Sequence, residues 1–292
     1  MSGVGALSEL KLRASYGITG NQEIGNFAFL GLVAAGASYI DRPGIAQTQI
    51  PNPDLKWEET RQLNVGADVG FLNNRVNLAL DYYIKKTDDL LFNRPIPTQT
   101  GFSSYASNIG SVENKGFEIA LNTVNIAGAA DGFNWTTDFN IAFNRNKVTE
   151  LYQGQDIFYG FGGNSLVLRE GQPIGTFYGF ISDGVYSTQN AVPAERQSQG
   201  AQAGDVNFRD INNDGFITDD DLTIIGNAQP KYVGGLTNVF RYKGFDLNVF
   251  LQFSYGNDIA NPAHQYQQHL GNDFLDDNML GLVRGRWQQE GD

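Results

Sequence analysis

The stretch QLNVGADVGFLNNRVNLALDYYI, residues 62–84, holds two runs of strict alternation joined by one tight turn. In the first run Leu63, Val65, Ala67, Val69 and Phe71 share a face, opposite Gln62, Asn64, Gly66, Asp68 and Gly70. In the second, Val76, Leu78, Leu80, Tyr82 and Ile84 stand opposite Asn77, Ala79, Asp81 and Tyr83. A period of two means extended strands with one apolar face. Asn73 and Asn74 tolerate positive φ, so the pair reads as a β-hairpin.

The same pattern recurs outward from this hairpin. Residues 10–19 (LKLRASYGIT), 116–122 (GFEIALN), 133–144 (FNWTTDFNIAFN), 232–242 and 245–256 all alternate. The last two read as a hairpin about Lys243 and Gly244, with Asn238 interrupting the apolar face of its first strand. Three long, Gly- and Pro-containing excursions separate the strands, over residues 20–57, 88–115 and 147–230, and FYGFI near Phe177 is placed to pair locally within the third. Short turns and long loops therefore alternate, which sends every long loop from one edge of a sheet, as in membrane barrels. The second face is rich in Asn, Gln, Thr, Gly and Asp, a lumen-like mixture, and strands of about ten residues cross a bilayer when tilted. Alternation alone equally fits a soluble sandwich, whose apolar faces point into a core. The loop asymmetry favours an all-β, antiparallel transmembrane β-barrel, of which this chain supplies part as an open, curved sheet of about seven principal strands.

Composition bounds the remaining classes. The 292 residues carry 32 Asp and Glu against 20 Lys and Arg, a formal net charge of −12, which lacks the basic footprint of nucleic-acid binding. There is no cysteine, hence no disulfide, thiolate metal site or catalytic thiol. No run of about 18 apolar residues offers a transmembrane helix, and hydropathy averages are blind to barrel strands. The opening MSGVGALSELK has neither the basic nor the apolar region of a secretory signal, which leaves a cytoplasmic protein or a piece of a longer one.

One window has the oxygen spacing of a calcium loop. In residues 210–221, DINNDGFITDDD, side-chain oxygens fall at the first, third and fifth places (Asp210, Asn212, Asp214), and Gly215 occupies the sixth, where such a loop turns. Phe216 would give its carbonyl, Thr218 stands ninth, and Asp221 closes the set. The departure is Asp221, because such loops usually close on a bidentate Glu. No flanking helix pair is visible, although Thr218 and Asp221 suit the capping of one short turn. The competing reading is a solvated Asx-rich turn.

The blocks LKLRASYGITGNQ (10–22), NPDLKWEET (52–60), GFLNNRVNLALDYYIKKTDDLL (70–91), SNIGSVENKGFE (107–118) and IGTFYGF (174–180) resemble, in order, those of the SusC/RagA family of TonB-dependent outer-membrane transporters of Bacteroidetes. So do GDVNFRDINNDGFITDDDLTIIGNAQPKY (204–232), GFDLNVFLQFSYGNDIAN (244–261) and RWQQEGD (286–292). The resemblance implies a barrel of about 22 strands, filled by a plug and capped by a SusD-like surface lipoprotein. It also implies coupling to TonB and import of oligosaccharides or peptides. Residues 1–292 would then be the later barrel strands, with residues 147–230 an extracellular excursion, while plug, TonB box, signal peptide and closing strand are not among them.

Catalysis has little support in the residues, since no acid-base or nucleophilic constellation stands out, and a hydrolase comes last among the readings. His264 and His269 sit in a Gln-rich loop and read as solvated, and residues 160–163 lack the Lys and Ser/Thr of a phosphate loop. Trp57, Phe71, Tyr82, Trp135, Phe143 and Tyr255 lie near strand ends on apolar faces, where a membrane aromatic belt would stand. The alternative to an importer wall is a secreted, calcium-stabilised β-protein that binds glycans.

Overall fold

The computed structural model describes residues 6–129, 131–160, 165–261 and 280–291. His264 and His269, with Gly162 and Gly163, lie outside them. In chain order the strands are β1 (Leu7–Asn21), β2 (Val33–Tyr39), β3 (Arg42–Gln47), β4 (Glu58–Phe71), β5 (Val76–Asp88), β6 (Leu91–Pro95) and β7 (Ser104–Asn108). They continue as β8 (Gly110–Ile126), β9 (Asn134–Leu151), β10 (Ile157–Tyr159), β11 (Leu166–Leu168), β12 (Thr176–Gly179) and β13 (Ser182–Val185). A short helix α1 (Ala194–Ser198) precedes β14 (Val206–Phe208), β15 (Thr223–Asn227), β16 (Tyr232–Tyr242) and β17 (Phe245–Tyr255). The chain divides into two units. One comprises Met1–Tyr159, Val167–Gly175 and Gln229–Asn257; the other Gly160–Leu166, Thr176–Ala228 and Asp258–Asp292.

The first unit is built on a seven-stranded sheet in the order β1-β4-β5-β8-β9-β16-β17. Each consecutive pair is antiparallel. These are the seven alternating segments, and among the described residues β1 and β17 pair on one side only, so the sheet is open. Its hairpins close as the sequence demands: Leu72, Asn73 and Asn74 have φ of 54°, 57° and 61°, and Lys243 with Gly244 has 46° and 81°. The first turn has four residues, 72–75, between paired Phe71 and Val76, and the second has two, whose left-handed conformation matches the right-handed twist of the flanking strands.

The strands outrun their alternating segments at the long-loop edge. β8 begins at Gly110 and β9 runs to Leu151, past Lys147, because Ile109, Val112, Val148 and Leu151 are buried together with Ile157 and Leu168. Leu90, Phe92, Tyr159 and Ile174 pack around that cluster. The long excursions hold their own ribbons, β2 with β3 and β6 with β7.

The second unit pairs β12 with β15, so the apolar FYGFI does pair locally, Tyr178 standing opposite Ile224. It also pairs β13 with β14. The indole Nε1 of Trp287 donates to the Ser187 carbonyl at 3.2 Å, and its ring lies where a Cβ on Gly204 would fall.

Candidate functional site

The principal sheet has two chemically distinct faces. On one face, registered rows run across the strands: Leu12, Ala67, Leu80, Ile119 and Ile141 in one, Leu10, Val69, Leu78, Leu121, Phe139, Leu236 and Leu251 in the next. Between the Phe71–Val76 pair and the Leu63–Ile84 pair this face carries no charged side chain. Among the described residues, side chains on this face stand exposed: Leu12 is 76% exposed, Leu251 57% and Val65 49%. Lys115 and Arg145 stand in the Leu63–Ile84 row at its upper margin, so the uncharged stretch runs over residues 65–71 and rises roughly 20 Å along the strand, about 15 Å along the membrane normal at a tilt of about 40°, the inner part of a barrel's apolar band.

Aromatic residues bound that band. Tyr82, Phe117 and Phe143 stand in one register row. The Phe143 ring meets Tyr232 at 5.8 Å, and Tyr232 stacks on Tyr255 at 5.1 Å. At the short-turn edge Phe133 and Trp135 stack on Phe240. Of the six residues read as a belt, Tyr82, Phe143 and Tyr255 share the row at the long-loop end, Trp135 and Phe71 lie at the short-turn end, and Trp57 is exposed beside Gly20. The row itself was not visible before the register was known. Asn238, which interrupts the apolar face, is satisfied there: Trp135 Nε1 and Thr137 Oγ1 donate to its Oδ1 at 2.9 and 2.6 Å.

The opposite face is a polar network. Arg13 reaches two carboxylates at once, donating to Asp68 from Nε and Nη2 at 3.0 and 2.8 Å, and to Asp81 from Nη1 and Nη2 at 2.8 and 3.0 Å. Gly66 stands between them, and a Cβ there would collide with Asp81 and crowd the guanidinium. Farther along, the Tyr83 hydroxyl donates to Asn144 Oδ1 at 3.2 Å, and Asn144 and Asn146 both donate to Asn114 Oδ1. Polar satisfaction of this kind suits a water-filled or plug-filled interior.

In the second unit, the acidic loop is organised by its own side chains. Asp210 accepts from the Asn213 and Gly215 N–H groups, Asn212 Oδ1 from the Asp214 N–H, and Asp214 Oδ1 from the Phe216 N–H. Gly215 makes the turn at φ 89°. Asp221 is fully buried, its two oxygens accepting from the Ile211 and Thr218 N–H groups at 2.8 and 2.9 Å. Thr218 and Asp221 form a capping box on one 3-10 turn, Asp219–Asp221. The Thr218 N–H foremost, with those of Ile211 and Asn212, holds the Asp221 carboxyl below the usual carboxylate range, against burial, which raises it. Among the described residues, no group of three or more acidic or histidine side chains is gathered closely enough to hold an ion.

Two residues outside the window, missed by local spacing, hold the loop and the elements that lead into it. The Gln199 amide brackets Ile217, accepting from its N–H at 3.2 Å and donating to its carbonyl at 3.3 Å. Buried Arg196 donates to Tyr186, Asn207 and the Phe208 carbonyl, anchoring α1 to β14.

An antiparallel sheet with a bare apolar band, an aromatic row and a polar reverse face is the wall of a membrane β-barrel. The family model of the TonB dependent receptor-like β-barrel matches residues 4–292, and the chain belongs to that family. TonB-dependent receptor P39 of Formosa agariphila is 35% identical over 328 residues, covering 100% of this chain and 31% of that protein. TonB-dependent receptor SusC of Bacteroides thetaiotaomicron is 35% identical over 274 residues, 88% of this chain and 26% of SusC. The solved RagAB peptide transporter superposes with a TM-score of 0.81 at 26% identity, over 98% of this chain and 31% of that one. The chain thus spans 26 to 31% of the length of these relatives, and like them it is an outer-membrane protein. These relatives are receptors and transporters by name, and the secreted glycan binder considered from sequence is set aside.

Proposed function

We propose that this chain forms part of the wall and outer loops of an energy-coupled importer that takes oligosaccharides or peptides across the outer membrane. The observation that carries the reading is the uncharged, uncovered band with its aromatic row, backed by a polar face suited to an interior. In this reading lipid covers the band, TonB acts through a region outside these residues, and a SusD-like lipoprotein docks on the long-loop side. The chain catalyses nothing and binds no nucleic acid. Deleting the full-length gene is expected to abolish growth on the oligosaccharide or peptide mixture it serves, with a plasmid copy restoring it; growth equal to wild type on every such mixture would refute import. Because the chain has no cysteine, a cysteine at Gln197 gives a clean topology test. Labelling of intact cells by an impermeant maleimide is expected, and labelling only from the periplasm would refute the orientation.

The acidic loop adds a structural role in the same reading. Asp210, Asn212, Asp214, the Phe216 carbonyl and Asp221 bind one calcium ion, with Thr218 contributing directly or through water. What supports this is the run of loop side-chain oxygens at alternate positions about Gly215, already turned toward the loop's own N–H groups. Binding requires those oxygens to exchange N–H partners for the ion, so affinity falls in the weak extracellular range of about 10⁻⁴ to 10⁻³ M. Calorimetry of the full-length protein with calcium, against Asp210→Ala and Asp214→Ala, decides it, and equal heats in all three would leave a metal-free turn.

A further inference from the structure

The first unit holds a cleft of about 460 Å³ that the wall function does not use. Its size falls in the range of small-molecule sites. One side is the turn around residues 23–28 with Gln49; the other is the β6–β7 ribbon.

Both sides are held before any ligand arrives. Gln49 Nε2 donates to the carbonyls of Phe27, Ala28 and Leu30 at 3.0, 2.9 and 2.7 Å, which fixes the turn. Across the cleft, the Phe92 ring is set edge-to-face against Tyr159 at 5.6 Å. Asn52 Nδ2 donates to the Ala106 carbonyl at 2.9 Å, tying the loop to the ribbon. A rigid site loses little freedom on binding.

The lining chemistry selects a ligand class. Tyr105 and Phe102 offer ring surface, and the Glu23 carboxylate, the Asn93 amide and the Tyr105 hydroxyl make no side-chain hydrogen bond or ion pair among the described residues. No Lys, Arg or His lines the cleft, so an anionic ligand would meet no counter-charge and a carboxylate. A peptide that bound by adding a strand to β7 would need that edge free. That edge is interrupted at its middle, where Asn52 Nδ2 holds the Ala106 carbonyl, and the Asn108 side chain ties the end of the strand to the Lys56 backbone. What remains matched is a neutral, hydroxyl-rich ligand with an apolar face.

We infer that this cleft is a binding site for a neutral saccharide, whose pyranose ring packs on Tyr105 and Phe102 while its hydroxyls pair with Glu23 and Asn93. The binding chemistry stands on the cleft alone; only its place outside the membrane rests on the import reading. The test is saturation-transfer NMR and calorimetry on the detergent-purified full-length receptor with cellotetraose, mannotetraose and maltotetraose, and with tetra-alanine as peptide probe. At least one tetrasaccharide is expected to bind, and Tyr105→Ala and the exposed Asn93→Ala each to weaken it tenfold or more. Asn93→Ala keeps the test valid should loss of the tyrosine disturb the ribbon. Binding by none of the three sugars, affinities unchanged in both variants, or tetra-alanine bound and lost in the same variants would overturn the inference. Cells carrying each variant separate the two readings: uptake that persists when no sugar binds the cleft sinks the cleft and leaves the importer, whereas sugar binding without uptake does the reverse.

Discussion

Tyr83 lies across Gly116, its neighbour on the adjacent strand: a Cβ built on Gly116 would fall 2.2 to 2.4 Å from ring atoms and the hydroxyl of Tyr83. The missing side chain lets the ring cross one strand, so that its hydroxyl donates to Asn144 on the next. Three strands are thereby tied on the polar face, an aromatic covering a glycine in a sheet. Gly116→Ala is expected to displace the ring and cost about 1–3 kcal/mol, the usual size of overpacking. Urea unfolding of the full-length protein in lipid bilayers measures it. A loss no larger than that of Tyr83→Phe, which removes only the hydroxyl, would show that the ring has room to spare.

Arg13 holds Asp68 and Asp81 in a shared double fork. Removing the cation leaves two carboxylates side by side, so Arg13→Met is expected to lower the temperature of the heat-modifiable gel shift. Arg13→Lys should lower it less, since an ammonium keeps the charge but cannot fork to both acids. Asp68→Asn or Asp81→Asn in the Arg13→Met background should recover part of the loss. No recovery in either double variant would mean that packing, not charge, is what Arg13 supplies.

The two faces predict opposite responses from neighbouring positions. Ile119 lies in the middle row of the bare band, while Ala120 lies on the polar face opposite Asn140. Ile119→Lys is expected to cost about 2–4 kcal/mol, the depth-dependent cost of a lysine facing lipid at mid-membrane. Ala120→Lys should stay within about 0.5 kcal/mol, as surface changes away from special features do. Assembly into membranes and urea unfolding give both values, and equal costs would mean the faces are assigned wrongly.

How much of this was legible depended on the reach of each signal. Residues 62–84 specify their hairpin completely, because alternation and positive-φ asparagines are local properties. Residues 110–115 gave no such sign, since Glu113 and Lys115 pair with each other above the band rather than alternate with apolar neighbours. The aromatic row needed the register of five strands. The cleft joins Glu23, Gln49 and Tyr105, which no local pattern links, and the Gln199 bracket on Ile217 is equally nonlocal. The spacing of the acidic loop, being local, was readable, along with its Thr218–Asp221 cap.

Asp221 makes that cap sensitive to pH in a definite direction. Its carboxyl is held below the usual range by the Thr218 N–H and its companions, so its folded pKa lies under the unfolded value of about 3.9. A depressed carboxylate contributes stability that is fully present above the unfolded pKa and is lost as pH falls through the folded one. Hydrogen-exchange protection of the Ile211 and Thr218 amides, corrected for intrinsic rates, should therefore be flat from neutral pH down to about 5 and fall only in stronger acid. Asp221→Ala removes the acceptor at every pH, leaving two donors unpaired at about 1–3 kcal/mol each. Protection of both amides should then drop roughly tenfold or more, with the acid step gone. A wild-type profile that declines through neutral pH, or an acid step that survives Asp221→Ala, would show that another group governs the loop.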